Sequence, residues 1–113
     1  MQSLSTLKNR QFEDQAGRCY YCQQPMWQRD VEQFSKLHHV SKRRAGLMQA
    51  TAEHLFPQSI GGSNTVGNVV AACLFCNRTR HKAKFDLPPE KSRARVIQRL
   101  AKGRWHRLIL AGE

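Results

Sequence analysis

TAEHLFPQSIGGSNTVGNVVAACLFCNRTRHK, running from Thr51 to Lys82, sets a carboxylate beside a histidine (Glu53, His54), a lone asparagine (Asn68) and a Cys-x-x-Cys-Asn (Cys73, Cys76, Asn77) in one short window. Side chains of these types bind metals, activate water and staple a small fold. Upstream, apolar and polar residues partly alternate from Met48 to Leu55, as on a half-buried strand that ends at Glu53 and His54. Gly61, Gly62 and Ser63 mark a loop and Asn64 to Gly67 a turn. The β-branched run Asn68 to Cys73 predicts a second strand, and a helix is expected to open at Cys76 and Asn77 and reach about Lys84.

Four cysteines fall in two pairs, Cys19 with Cys22 and Cys73 with Cys76. Two C-x-x-C knuckles in a chain of 113 residues read first as one tetrahedral zinc site. A core this small gains from such a staple. Two disulfides are the rival reading and suit an exported protein. Residues 1 to 30, however, hold no apolar run of the export-signal kind, because Lys8, Arg10, Glu13 and Asp14 interrupt it. Thiolates on a structural zinc ion in a reducing cytoplasm are therefore expected. A thioredoxin-like use of the cysteines lacks its βαβ setting.

Lys and Arg number 19 against 8 acidic residues, a formal charge of +11. Residues 78 to 107 carry 11 of the 19, with only Asp86 and Glu90 opposing them. That concentration predicts a polyanionic partner, with Arg78, Arg80, Lys82, Lys84, Arg93, Arg95, Arg99 and Lys102 as the candidate contacts. No apolar stretch reaches membrane-spanning length.

The flanks complete a single domain over residues 1–113. A helix is expected over 4–16, stopped by Gly17, and delivers the chain to the first knuckle. Pro25, Met26 and Trp27 suggest a return strand, with Tyr20, Tyr21 and Trp27 packing around the metal. Val31, Phe34 and Leu37 suggest one or two helical turns before the basic run that includes Lys42, Arg43 and Arg44. Beyond Pro88 and Pro89, with Asp86 as a possible cap, an apolar stripe of Val96, Ile97, Leu100, Ala101, Trp105, Leu108 and Ile109 predicts a basic helical segment over 88–110. His106 has no companion there and receives no role.

The spacing of Glu53-His54, Asn68 and Asn77, with thirteen and then eight residues intervening, resembles the HNH endonuclease family, in its variety with asparagine at the third position. The likeness covers about Arg18 to Lys84. It implies an α+β fold, a small zinc-stapled ββα-metal domain (core 18–84) with flanking helices. It also implies a site in which Glu53 and Asn77 hold a catalytic magnesium or manganese ion, His54 is the general base and Asn68 ties the loop and orients that base. An imidazole suits the base role because it titrates near neutrality. A hard cation needs few protein oxygens, since it keeps several waters. Glu stands at 53 where the family more often has Asp, which lengthens the ligand's reach. His81, four residues after Asn77 and so on the same helix face, is a further candidate for the phosphate or the metal.

These expectations amount to a metal-dependent endonuclease that nicks double-stranded DNA, one strand per engagement, as a monomer. The alternative is a non-catalytic zinc-stapled nucleic-acid-binding module. Glu53, His54 and Asn77 separate the two, because a binder has no need of them.

Overall fold

The computed structural model describes residues 2–82 and 87–110. Helix α1, Leu4–Asp14, starts at Ser3, whose hydroxyl accepts from the Thr6 amide at 3.1 Å. The chain then turns through Ala16 and Gly17, both at positive φ. Helices α2, Val31–His38, and α3, Lys42–Ala45, are capped in the same way by Asp30 and Ser41. A 3-10 turn, Gly46–Met48, leads into strand β1, Ala50–His54. Strand β2, Val69–Cys73, runs antiparallel to β1, with Ala50 opposite Cys73 and His54 opposite Val69. Helix α4, Leu74–Arg80, follows at once, and α5, Pro89–Ala101, comes last.

The sheet has two strands, so both outer edges need covering. Along β2, the Gln15 side chain serves as a partial third strand. Its amide nitrogen donates to the Ala71 carbonyl at 2.8 Å and its oxygen accepts from the Ala71 amide at 3.0 Å, while Tyr20 N also reaches Ala71 O. The first knuckle is thereby held against the strand that carries the second. Along β1, Ala50 N donates to Trp27 O at 2.8 Å. The return strand expected at Pro25 to Trp27 is only a pair of isolated bridges, Arg18 with Pro25 and Trp27 with Gln49. Pro25 lacks the amide hydrogen that a longer ladder would need.

The strand–strand–helix order matches the α+β expectation, with differences at the element ends. Helix α4 opens at Leu74, two residues before Cys76, because the Cys73 sulfur caps it by accepting from Cys76 N at 3.4 Å. Helix α5 ends at Ala101, short of the predicted 110, because Gly103 takes a left-handed conformation (φ +70°) and turns the chain back. Residues 104–110 return as an extended tail whose Leu108 lies in the same core as Val96, Leu100, Tyr21 and the cysteines. Of the predicted stripe, Ile97, Ala101 and Ile109 are left exposed. The suggested cap Asp86 lies outside the described residues. No helix among the described residues is long and apolar enough to cross a membrane.

Candidate functional site

The four cysteines converge from the turn after α1 and from the junction of β2 with α4. All are buried and none is in a disulfide. Their sulfurs lie within 4.8 Å of one another. A tetrahedral zinc ion with bonds of about 2.3 Å spaces its sulfurs at roughly 3.8 Å, so the cluster can hold zinc after a small contraction. Backbone amides point at two of the sulfurs: Tyr21 N and Cys73 N at Cys19 Sγ (3.4 and 3.3 Å), and Cys76 N at Cys73 Sγ. The Cys73 and Cys76 thiols are held well above the ordinary thiol range by the neighbouring Cys19 and Cys22 sulfurs and then by burial. A cation that replaces their protons relieves both effects.

A second anionic centre lies toward the C-terminal end of α4. Glu53 is 1 % exposed at the inward-facing end of β1. Its Oε2 accepts from the Tyr21 hydroxyl and from the Arg80 guanidinium, each at 2.7 Å, and its Oε1 is 2.8 Å from His81 Nε2. Burial, followed by the charge of Glu53, raises the Tyr21 phenol far above its usual range, so it remains a donor to the carboxylate. Asn77 turns its amide nitrogen to Thr51 Oγ1 (3.0 Å) and Ala52 O (3.2 Å). Its oxygen is left uncommitted among the described residues.

His54 emerges on the opposite side of β1 from Glu53, as neighbouring strand residues do. Its Nε2 is 2.8 Å from Asn64 Oδ1, an oxygen that also accepts from Gln58 Nε2 at 3.0 Å. An amide oxygen only accepts, so Nε2 carries the hydrogen and Nδ1 holds the lone pair of the neutral ring. Asn68 spans the loop behind it. It accepts from Phe56 N (2.8 Å) and donates to Phe56 O (3.0 Å) and Ser63 O (2.9 Å), while its carbonyl takes the Leu55 amide. Gly62 is required by this closure: a Cβ there would lie 1.7 Å from Phe56 O.

The predicted residues thus sort into a cysteine cluster, a Glu53–His81 pair, Asn77 bonded back to β1, and a loop that carries His54 and Asn68. Arg80 corrects the expected DNA-contact set. It is buried, and besides Glu53 it donates to the carbonyls of His54 (3.2 Å), Leu55 (3.0 Å) and Leu87 (3.0 Å), so its charge compensates a carboxylate instead of facing phosphates. Its position four residues after the buried Cys76 is the helical signal that marks it as inward-facing. Arg78, Lys82, Arg95, Arg99 and Lys102 are exposed, and Arg93 lies over the Tyr20 ring at 5.3 Å. Lys84 lies outside the described residues. Tyr21 and His106 were not foreseen as polar partners. Tyr21 sits between two zinc-ligand positions and read as packing, and no periodic pattern singles out His106.

Among the described residues, only the cysteines form a cluster of three or more acid, histidine or thiol ligand atoms. A hard divalent cation prefers oxygen ligands, and the Glu53 carboxylate and the amide oxygen of Asn77 are donors of that type. In comparisons with known proteins, residues 41–92 match the family model described as HNH endonuclease. Neither curated proteins nor solved structures give a match to the chain.

Proposed function

The chain belongs to the HNH endonuclease family through residues 41–92, and on that premise we propose that it is a metal-dependent endonuclease that hydrolyses phosphodiester bonds of double-stranded DNA, cutting one strand per engagement. What supports this reading is the Glu53-His54 pair at the end of β1, with Asn77 of α4 bonded back to Thr51 and Ala52 of the same strand, all within the family-matched segment.

His54 is the general base. With its Nε2 hydrogen engaged by Asn64, Nδ1 receives the proton of a water molecule at near-neutral pH. Asn68 keeps the loop closed, so the imidazole is held in one orientation. Water attacks phosphorus and the 3′ oxygen departs, leaving 5′-phosphate and 3′-hydroxyl ends. A bound magnesium or manganese ion supplies Lewis-acid stabilisation of the developing charge. Glu53 and Asn77 are its proposed ligands, with His81 an additional one. Tyr21 and Arg80 fix Glu53 by Oε2, which keeps Oε1 directed to the His81 side. Arg78, Lys82, Arg95, Arg99 and Lys102 hold the phosphate backbone. A structural zinc ion on the four cysteines holds the scaffold.

The test is conversion of supercoiled plasmid by the zinc-loaded protein in magnesium, in manganese or in excess EDTA, beside His54→Ala. Nicked circles that require the added divalent ion and vanish in the variant support the proposal. One observation favours the non-catalytic binding module: both Glu53 oxygens already have partners without a cation. Gel shifts with no cleavage in any metal, from folded protein, would select that reading.

A further inference from the structure

The two residues after the α5 turn reach back to the cysteine cluster. Trp105 Nε1 donates to Cys76 Sγ at 3.2 Å. His106 is 6 % exposed, and its Nδ1 accepts from the Leu108 amide at 3.0 Å, which puts the ring hydrogen on Nε2. That Nε2 is buried and has no hydrogen-bond partner among the described residues. The sulfurs show a matching vacancy: Cys19 and Cys73 accept from backbone amides and Cys76 from Trp105, whereas Cys22 has no such donor among the described residues. The unmatched donor follows directly on Trp105, whose indole already reaches the cluster, so it is the group placed to serve the unmatched acceptor. Phe75 packs edge-on against both rings, at 5.1 and 5.5 Å, and holds them over the cluster.

We propose that Trp105 and His106 are N–H donors to the Cys76 and Cys22 thiolates of the zinc site, and that these bonds anchor the tail and the basic helix α5 to the metal centre. Four thiolates on a divalent ion leave a net double negative charge in a buried place, and among the described residues no cationic side chain belongs to the cluster to offset it. N–H dipoles, one or more per sulfur, disperse that charge. Outer partners of this kind typically alter metal affinity about 10- to 100-fold. The inference rests on the zinc reading of the four cysteines.

The experiment uses the full chain, metal-stripped and reloaded with cobalt or with zinc. Trp105→Phe and His106→Phe are compared with Leu108→Ala, which loosens the same tail without removing a donor. In the cobalt form, loss of an N–H donor raises the energy of the sulfur lone pairs, so both donor variants are expected to move the sulfur-to-cobalt charge-transfer band to lower energy. Leu108→Ala should not move it. In the zinc form, release to excess chelator should be roughly 10- to 100-fold faster in the donor variants. Trypsin should also cut sooner at Arg104 and Arg107 in the zinc forms of both. Unchanged bands and release rates in both variants, each holding one metal per chain, would overturn the clamp and leave the zinc site standing. A parent chain that holds no stoichiometric metal would remove the zinc reading and the clamp together.

Discussion

Two buried anionic centres, one near each end of helix α4, solve the same electrostatic problem by different means. At one, four thiols meet only neutral N–H groups, so the cluster is incomplete until a cation arrives. At the other, the Glu53 carboxylate meets a guanidinium, a phenol and an imidazole from the same chain. The first centre is expected to make folding depend on metal. The second is assembled by the polypeptide itself and can persist without one, which separates the ion that builds the domain from the ion proposed to act in it.

The largest effect should come from breaking the first centre. Cys73→Ser, or exhaustive chelation of zinc, is expected to unfold the domain, because metal binding in small zinc modules is worth about 10 to 16 kcal/mol. Far-UV circular dichroism during chelator titration measures it, and a native spectrum in metal-free protein would refute the contrast. Arg80→Met attacks the second centre. It strands a buried carboxylate, so a loss of about 3 to 5 kcal/mol is expected in urea unfolding, whereas Arg80→Met combined with Glu53→Leu should recover most of that loss. Equal losses in the single and double variants would mean that Arg80 stabilises through its carbonyl contacts and not through charge.

Gly62→Ala tests the loop that carries His54. The Phe56 carbonyl would have to move, at a cost of about 1 to 3 kcal/mol, and plasmid cleavage should fall further than stability does. Tyr21→Phe removes one of the two Oε2 partners while Arg80 remains, and should cost about 1.5 to 3 kcal/mol. Arg99→Ala lies at the small end. Thermal unfolding should change by no more than about 0.5 kcal/mol. The log-log salt slope of DNA binding should shrink by about 0.9 if one phosphate contact is lost.

The Arg80 comparison also shows where sequence reading stops. Arg78, Arg80 and Lys82 are indistinguishable as members of one basic run, yet the first and last face solvent and the middle one is buried against Glu53. The run's charge density pointed to phosphates for all three. Helical phase distinguishes them, but only once β1 is known to lie against that face of α4. His106 was harder still, because the turn at Gly103 breaks the periodicity that made the tail resemble more helix.

What the amino-acid order determined by itself was everything carried by short-range spacing: the two knuckles, the Glu53-His54, Asn68 and Asn77 pattern, the strand–loop–strand–helix order and the basic C-terminal third. Ligand spacing and backbone periodicity are local properties, so they survive without knowledge of neighbours. What only the tertiary structure decided was which polar groups meet across the fold. Glu53 with Tyr21 and Arg80, Gln15 with the edge of β2, and Trp105 with the Cys76 sulfur are pairings of residues 27 to 56 positions apart. A buried polar group must find a partner wherever packing places it, and packing is set by the whole chain at once.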